Sequence, residues 1–413
     1  MSTRARRYLM AMWDGGGNAP PQLGVGKRLV ERGHVVHVLG DRSLAGAAEA
    51  AGCGFSPWFR GTERTEIDAT DDTRNDWETE EPLDVVRRIR DLLQSGPAAA
   101  FAADTAAAIA TFQPDAVVPD SQLFGAMIAG EGAGLPVAAL VPNLWMAPTP
   151  GTGDPVAFKI INRVVKQGLP DLNAARAERG LPALGAFYDQ LLAADRILVL
   201  SSETLDVASP FVPNNVRYVG PVLDDPVWTD PWTSPWPESN KDPLVLVGFS
   251  SIYQNQGPLL QRVIDALSGM EVRAVVALGR VLKADALAAT DNVAVARSVP
   301  HNELLTEASL MISHCGHGTT VKTLAAGVPM VCIPMGRDQD ATAACVVNQR
   351  AGVQLSPAAS SDEIRHAVAD LLHDDGYREN AVRLASVLAQ EHQALDVVLE
   401  LEDLVGQAAP GSV

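Results

Sequence analysis

The chain has 413 residues, more than one hydrophobic core usually sustains, so we expect two domains. Its formal net charge of −18 argues against nucleic acids and anionic membrane surfaces as partners, because proteins that bind either normally present a basic surface. No apolar run reaches the roughly 20 residues of a membrane span, and the four scattered cysteines form no C-x-x-C motif. We therefore expect a cytoplasmic protein with no membrane partner, no disulfide frame and no metal site.

Short runs rich in Val, Ile, Leu and Ala recur along the chain without clean alternation, which is typical of parallel strands buried on both faces. The first run, Tyr8–Met12, follows a basic start whose apolar part is too short for a signal sequence, so we interpret it as a strand. The other predicted strands are Val35–Leu39, Ala116–Val118, Val137–Leu140, Ile197–Leu200, Leu244–Val247, Val272–Ala277, Val293–Ala296, Leu310–Ile312 and Met330–Ile333. Predicted helices are Pro21–Arg32, Leu83–Leu93, Ala98–Phe112, Gln122–Gly132, Gly257–Leu267 and Thr320–Ala326, with a continuous helical stretch over Asp362–Val405.

The segment Gly220–Pro243 contains six prolines and has neither a helical nor a strand period, which indicates a linker. We therefore predict an α/β protein with two doubly wound, Rossmann-like domains that face each other across a cleft. Their predicted bounds are residues 1–220 and 243–395, with a linker over 221–242 and a C-terminal helix and tail over 396–413. Because ligands of open parallel sheets bind beyond the carboxyl ends of the strands, the loops after strands are where we expect the functional residues.

The loop after the first predicted strand, "WDGGGNAPP", is rich in glycine. A dinucleotide fingerprint G-x-G-x-x-G would begin with Gly15 and Gly17, but its third glycine falls on Pro20. Asp41, at the end of the second strand, lies about where the ribose-binding acid of such a site would be. A nicotinamide site therefore remains an alternative for this loop, with the proline against it.

A second glycine-rich turn, "SHCGHGTT", follows the predicted strand Leu310–Ile312 and begins a helix. Small residues bring backbone N–H groups close to a ligand, and a helix N-terminus attracts anions, so this turn predicts a pyrophosphate site. Side chains of His314, Thr319 and Thr320 can donate further hydrogen bonds. After the next strand, Asp338 and Gln339 place an acceptor beside an amide, which suits neighbouring hydroxyls of a sugar.

These motifs resemble the donor signature of the inverting, nucleotide-sugar-dependent glycosyltransferases of the GT-B fold, family 1, which include the natural-product and UDP-glucuronosyl types. The family pattern H-x-G-x-G-T followed by D-Q matches His314, Gly316, Gly318, Thr319, Asp338 and Gln339. "LVLVGFSSIYQNQG" resembles the family's first C-domain strand, which implies that Ser250 and Ser251 border the phosphates. "VARSVPHNELL" resembles the segment that holds the base, which implies Val299 and Pro300 as further contacts. The similarity spans essentially the full length.

The same resemblance changes the interpretation of the first glycine loop. The family has G-H-x-x-P before a helix that ends R-G-H, and "PQLGVGKRLVERGH" fits that helix, so the family's histidine falls on Asn18. In the family this histidine is the general base that takes the acceptor's proton, held by an aspartate that here corresponds to Asp120 in "PDAVVPDSQLFG". The orienting acid is thus present and the usual base is not.

Three consequences of Asn18 are open. A carboxylate, either Asp120 or Asp14, can take over as base if its surroundings raise its pKa, although Asp14 can equally be a turn residue that stabilises the loop. The acceptor can instead be ionised already or intrinsically nucleophilic. Thirdly, catalysis can be lost and the chain can be a binding or helper subunit. Loss of a general base typically costs about 10²–10⁴-fold in rate, which positioning alone can tolerate.

The resemblance therefore implies a metal-independent glycosyltransferase that moves a sugar from UDP or TDP to a small hydrophobic, natural-product acceptor. No cofactor is expected beyond the nucleotide sugar, and the protein is expected to be a monomer or a homodimer. A nucleotide-sugar epimerase of similar architecture is a further alternative, but its acid and base groups cannot be assigned. The acceptor pocket is expected to be lined by loops such as Val141–Gly151 and Phe55–Glu81, with Trp13, Gly16, Asn143, Trp145 and Met146 as candidate contacts. Trp145 and Met146 can equally pack against the following helix.

Overall fold

The computed structural model describes residues 4–61, 83–145, 155–206, 212–226, 229–283 and 287–408, and these form two compact units. Of the described residues, those through Val222 and those from Leu395 onward belong to the first unit, and those over Leu223–Ala394 belong to the second. The described residues of the predicted linker therefore lie, from Leu223, within the second unit.

The first unit is built on parallel strands in the order β3-β2-β1-β4 and β5-β6-β7. Two isolated parallel bridges, Val117 with Val137 and Asp120 with Leu140, join β4 to β5. The two sets of strands are thus neighbours in one continuous sheet. The strands are β1 (Arg7–Ala11), β2 (Val35–Gly40), β3 (Gly54–Pro57), β4 (Ala116–Pro119), β5 (Ala138–Val141), β6 (Arg196–Val199) and β7 (Val216–Tyr218). The helices before the second unit are α1 (Ala19–Glu31), α2 (Ala45–Ala50), α3 (Leu83–Ile89), α4 (Ala98–Phe112), α5 (Phe124–Gly132), α6 (Pro155–Val165), α7 (Leu169–Ala177) and α8 (Asp189–Leu192).

The second unit is a parallel sheet in the order β10-β9-β8-β11-β12-β13, which is the 3-2-1-4-5-6 order of a Rossmann fold. The predicted α/β class with two Rossmann-like domains is therefore confirmed. Its strands are β8 (Leu244–Gly248), β9 (Arg273–Ala277), β10 (Val293–Ala296), β11 (Ala308–Ser313), β12 (Met330–Cys332) and β13 (Gly352–Gln354). Its helices are α9 (Gly257–Leu267), α10 (His301–Leu305), α11 (His317–Ala325), α12 (Gln339–Asn348), α13 (Ser361–His373) and α14 (Asp375–Ala394).

The prediction of one continuous helical stretch over Asp362–Val405 is wrong, because the chain breaks it twice. Asp374 is extended (φ −94°, ψ 100°) and its Oδ1 accepts a hydrogen bond from the backbone N–H of Gly376 at 2.9 Å, so one helix ends and the next begins there. The second break precedes the last helix, α15 (Val397–Ala408), which lies in the first unit.

Helix α15 is tied to the end of α1 by charged contacts. The Arg32 guanidinium lies 3.3 Å from Asp396 and 3.2 Å from Glu402, and Nε2 of the buried His34 lies 2.8 Å from Glu402. The R-G-H turn at the end of α1 is thus the place where the end of the chain is anchored to the first unit.

Each sheet has one point where the direction of strand addition reverses, between β1 and β4 in the first unit and between β8 and β11 in the second. Rossmann folds bind ligands at this switch point, where loops after two neighbouring strands diverge. The buried core strands, such as Leu9–Ala11 and Leu310–Ile312, hold these loops in place.

Candidate active site

Asn18 and Asp120 meet at the switch point of the first sheet. Asn18 ends the loop after β1, and Asp120 directly follows the neighbouring strand β4. The Asn18 amide donates from Nδ2 to Asp120 Oδ2 over 3.1 Å, although 102 positions separate the two residues. The two positions that the family resemblance pairs are therefore in contact, with an amide where an imidazole was expected.

The amide of Asn18 also holds its own loop together. Its Oδ1 accepts a hydrogen bond from the backbone N–H of Gly15 at 2.8 Å, and its Nδ2 donates a second bond to the Trp13 carbonyl at 3.0 Å. Both N–H bonds of the amide are thus donated within the protein. Gly15 is required here, since a Cβ at that position would lie 2.5 Å from the Trp13 ring and 2.7 Å from Asn18 Oδ1.

Asp120 is buried with 1% of its surface exposed and accepts hydrogen bonds on both oxygens. Gln22 Nε2 donates to Oδ2 at 2.6 Å, and the backbone N–H of Gln122 donates to Oδ1 at 2.9 Å. Burial raises the pKa of this carboxyl group, and the hydrogen bonds from Gln122, Asn18 and Gln22 act in the opposite direction. Gln22 was not predicted from the sequence, although its spacing of four from Asn18 places both on one face of a helix.

Asp14 forms hydrogen bonds that stabilise the glycine loop. Its Oδ1 accepts from the backbone N–H of Gly16 at 3.0 Å, its Oδ2 accepts from the Ser43 hydroxyl at 2.8 Å, and it is 1% exposed. Gly16 has a φ of +83°, which glycine adopts without strain. Asp41, the candidate ribose acid of a dinucleotide site, accepts from the backbone N–H of Asp14 at 2.7 Å, so it is engaged in the same loop.

The candidate acceptor contacts are in different surroundings. Trp145 is buried and lies in a core cluster with Phe124 and Phe187. Trp13, Asn143 and Gly16 lie in loops after β1 and β5, with Trp13 and Asn143 half-buried and Gly16 buried. Met146 lies outside the described residues, as do residues 62–81 of the stretch Phe55–Glu81 and residues 147–151 of the loop Val141–Gly151.

The second glycine turn follows β11 at the switch point of the second sheet. Gly316 precedes α11, which begins at His317, so Gly318 and Thr319 lie in the first helical turn, where backbone N–H groups have no helical partner. The helix thus starts three residues before the predicted Thr320. The Thr320 hydroxyl donates to the Gly316 carbonyl at 3.1 Å, whereas Thr319 is half-buried at the surface of the turn.

Two glycines shape this turn differently. A Cβ on Gly316 would lie 2.8 Å from His314 Nε2, so the glycine allows the imidazole to lie over the turn. A Cβ on Gly318 would meet nothing within 4 Å, so this residue leaves open space above the first turn of α11. The turn can therefore receive an anion from the side of Gly318.

His314 is buried and stacks on Phe249, with 5.9 Å between the ring centroids and 24° between the planes. Burial, followed by the charge of Arg337, lowers the pKa of His314 to about 4, while Asp338 and a hydrogen bond with the Gly248 backbone oppose that shift. The imidazole is consequently neutral at pH 7 and can offer one N–H to a ligand oxygen without carrying a charge.

Asp338 and Gln339 lie at the start of α12, in the loop after β12. Asp338 is half-buried at the N-cap, and Gln339 is buried. Gln339 Oε1 accepts from the backbone N–H of Met335 at 2.7 Å, and its Nε2 donates to Gln254 Oε1 at 3.0 Å. The loop is unusual in its backbone, because Gly336 and Arg337 have φ values of +125° and +64°.

The remaining candidate donor contacts also follow strands of the second sheet. Ser250 is buried and Ser251 half-buried in the loop after β8. Val299 is buried, and Pro300 is the N-cap of α10. The structure therefore places all predicted donor residues at the carboxyl edge of one sheet, after β8, β10, β11 and β12.

Within the described parts of the chain, no group of three or more His, Cys, Asp or Glu side chains is arranged to hold a metal ion. Cys53, Cys315, Cys332 and Cys345 are buried free thiols. None of the described helices is long and apolar enough to cross a membrane.

Comparison with protein families gives one match, over residues 261–404, to the C-terminal domain described as erythromycin biosynthesis protein CIII-like. Among curated proteins, the chain is 28% identical to the 4'-demethylrebeccamycin synthase of Lentzea aerocolonigenes, over 97% of this chain and 98% of that protein. It is 25% identical to the demethyllactenocin mycarosyltransferase of Streptomyces fradiae, over 95% of this chain and 85% of that protein.

Solved structures resemble the chain over nearly its whole length. The glycotransferase of kitacinnamycin matches with a TM-score of 0.78 at 22% identity, covering 99% of this chain and 100% of that one. The calicheamicin glycosyltransferase CalG4 matches with a TM-score of 0.78 at 21% identity, covering 98% of this chain and 100% of that one.

Proposed function

We propose a specific reaction for this chain, which is a nucleotide-sugar-dependent glycosyltransferase of the GT-B fold, of the family 1 natural-product type. It moves a sugar from UDP or TDP to a small hydrophobic, aromatic or polyketide-like acceptor in the cytoplasm, with inversion at the anomeric carbon. The observation that carries the proposal is the contact of Asn18 with Asp120 at the first switch point, together with the glycine turn at the second.

In the second unit, the nucleotide diphosphate binds at the first turn of α11. The backbone N–H groups of Gly318 and Thr319, the neutral His314 and the hydroxyl of Thr319 would stabilise the negative charge that grows on the leaving diphosphate. Asp338 is the assigned contact for sugar hydroxyls, because it is half-buried at the start of α12, in the loop after β12, the strand next to β11. These groups supply charge stabilisation without a metal ion.

In the first unit, Asp120 rather than Asp14 takes the acceptor's proton as the general base. A general base works best when its pKa lies near the working pH, and burial raises the pKa of Asp120 in that direction. Asp14 is assigned a structural role instead, because its bonds with the Gly16 N–H and the Ser43 hydroxyl join the glycine loop to the residues after β2, whereas Asp120 bonds to Asn18, which holds the position of the family's base. Asn18 and Gln22 orient the Asp120 carboxylate through Oδ2.

One observation favours a second mechanism for the same transfer. The Asn18 amide and the Asp120 carboxylate already form hydrogen bonds with each other, and the amide also bonds to its own loop. Asp120 is 1% exposed. An acceptor that ionises by itself, such as an acidic phenol, would need no base from this loop. The two mechanisms differ in how strongly the rate depends on the acidity of the acceptor.

The experiment supplies the protein with UDP- and TDP-sugars and a series of phenols of graded acidity, and measures released diphosphate, product mass and anomeric configuration. If Asp120 is the base, D120N slows transfer by about 10²–10⁴-fold, most for the least acidic phenols, while D14N has little effect beyond its cost in stability. Rates that neither variant lowers by more than about tenfold rule out a carboxylate base. No turnover with any donor would contradict the proposed reaction.

A further inference from the structure

Two glutamines connect the loops after β8 and β12, on either side of the glycine turn that contains Gly316, and a third glutamine bonds to one of them. Gln254, in the loop after β8, accepts on Oε1 from Gln339 Nε2 at 3.0 Å, and its backbone N–H donates to Gln256 Oε1 at 2.8 Å. Gln339 is itself oriented by the backbone N–H of Met335, which donates to its Oε1 at 2.7 Å. Because each carbonyl oxygen faces a donor, the orientation of the Gln254 amide is determined, and its Nε2 points away from Gln339.

The Nε2 atom of Gln254 is a donor without an acceptor. The residue is 1% exposed, and Nε2 is buried with no hydrogen-bond partner among the described residues. Buried polar groups in native proteins nearly always have partners, so one that lacks a partner calls for an explanation. A flexible glutamine could have turned to find an acceptor, but the bond that Gln339 donates to its Oε1 holds the amide in place.

The position of this atom relates it to the donor turn. Strands β8 and β12 flank β11, so the pair Gln254–Gln339 joins the two loops on either side of the turn that contains Gly316. A Cβ built on Gly336 would have Gln254 Nε2 as its nearest neighbour, at 3.9 Å. The absence of a side chain at Gly336 therefore leaves the approach to Nε2 unfilled.

We propose that Gln254 binds the nucleotide sugar, donating a hydrogen bond from Nε2 to an oxygen of its diphosphate or of its sugar. An amide N–H recognises oxygen acceptors, and both the diphosphate and the sugar carry them. The same amide positions Gln339 through Oε1. This assignment rests on the proposed function, since it needs a nucleotide sugar at the turn of α11.

The test compares two substitutions that distinguish the role of the Nε2 donor of Gln254 from that of its Oε1 acceptor. Gln254→Glu keeps an oxygen for the bond with Gln339 and replaces only the Nε2 donor, whereas Gln254→Met removes both. Gln261→Met is the matched control, because Gln261 lies on α9 and bonds to Asp265 and to the Ala288 carbonyl instead. Binding of UDP, TDP and their sugars is measured by titration calorimetry, beside turnover and thermal unfolding of the full chain.

We expect both Gln254 variants to bind the nucleotide sugar roughly 3- to 100-fold more weakly, the range for losing one hydrogen bond to a neutral or charged partner. Weaker binding of the free nucleotide as well assigns the bond to the diphosphate, and weaker binding of the nucleotide sugar alone assigns it to the sugar. In Gln254→Glu the loss should grow as pH rises, because a protonated carboxyl can still donate and a carboxylate cannot.

Unchanged affinity in folded Gln254→Glu and Gln254→Met proteins would overturn the proposal. The proposal would also be overturned if Gln254→Glu lost the same affinity for the nucleotide sugar at every pH and lost thermal stability as well. That pattern indicates a purely structural residue. Failure of the wild-type protein to bind or use any nucleotide sugar would instead contradict the proposed function, so the two failures are distinguishable.

Discussion

Asn18 donates from Nδ2 to Asp120 over 3.1 Å and accepts on Oδ1 from Gly15 over 2.8 Å, so one amide joins two strand ends and closes the glycine loop. A histidine at this position would present an imidazole to Asp120 in place of the amide. The carboxylate that would orient such an imidazole is already buried and held by Gln22.

The substitution Asn18→His should therefore create a base beside Asp120. We expect transfer to alcohols, which do not ionise near pH 7, to become at least about 10²-fold faster, because an imidazole held by a carboxylate is an effective general base. Initial rates with a matched alcohol and phenol measure the effect. Asn18→Ala is the control, and a folded Asn18→His protein that gains nothing over it with the alcohol would contradict the expectation.

Asn18→Ala also tests the role of the amide in the fold. The variant leaves Gly15 N–H and the Trp13 carbonyl without their partner and removes one donor from Asp120, so we expect a loss of about 1–3 kcal/mol in the free energy of unfolding. Urea unfolding of the full chain measures it. A loss below about 0.5 kcal/mol, the usual size of a surface effect, would show that water replaces these bonds.

His314 is expected to act as a neutral donor to the leaving diphosphate. His314→Ala should lower kcat by about 10²–10³-fold, the usual cost of removing one group that stabilises developing charge. Because burial and Arg337 lower the pKa of His314 to about 4, the wild-type kcat should show no ionisation of this group between pH 5.5 and 8. His366→Ala, on the exposed face of α13, is the matched control, and an equal loss in both variants would contradict the role.

The same imidazole should make the protein less stable in acid. Burial lowers the pKa of both His314 and His301 to about 4, against about 6.5 in an unfolded chain. Between these values the unfolded state binds more protons, so stability is fully present above pH 6.5 and falls as the pH drops toward 4. Each group contributes at most about 1.4 kcal/mol per pH unit.

Urea unfolding at pH 7 and pH 5 measures this slope for the wild type and for His314→Gln, which cannot titrate. The variant should lose less stability between the two pH values than the wild type does. Equal losses in the two proteins would mean that the imidazole is not held in its neutral form by the fold.

Asp104 anchors the described part of the candidate acceptor stretch Phe55–Glu81. Its Oδ2 accepts from three successive backbone N–H groups, those of Phe59, Arg60 and Gly61, at 2.9, 2.7 and 3.0 Å. Asp104→Ala should cost about 2–3 kcal/mol, because it strips a buried charged acceptor from several donors at once. We also expect a higher KM for the acceptor with unchanged affinity for the free nucleotide.

Thermal unfolding and separate acceptor and nucleotide titrations check both parts of that expectation. Asp370→Ala, an exposed carboxylate on α13, is the control. If Asp104→Ala weakens nucleotide binding as much as acceptor binding, its effect is general unfolding and the local role is wrong.

The sequence predicted the fold well where the local pattern is strong. Helices Ala98–Phe112 and Gly257–Leu267 have the predicted bounds, since alanine in one and a proline after glycine in the other mark them clearly. The strands β3, β7 and β13 were missed because each has only three or four residues and lies at or near a sheet edge, where apolar character is weak. The motif resemblance to family 1 glycosyltransferases is confirmed by relatives over nearly the whole chain.

Hydrogen bonds between side chains of distant loops could not be predicted from the sequence. The position of Asp120 was predicted only because a family pattern connected it to Asn18. Gln254 and Ser43 had no such pattern, and a glutamine in a polar loop resembles many others. Their contacts depend on which strands are neighbours, and that order follows from packing of the whole sheet rather than from any local window.

The return of α15 to the first unit has a consequence for protein synthesis. Domains made on the ribosome usually fold in order from the N-terminus. Here the contacts of Arg32 and His34 with Asp396 and Glu402 form last, because Asp396 and Glu402 are translated only after the entire second unit. The unit that begins first is therefore completed last, and a stop codon between Val222 and α15 would leave a first unit without its final helix and without the partners of Arg32 and His34.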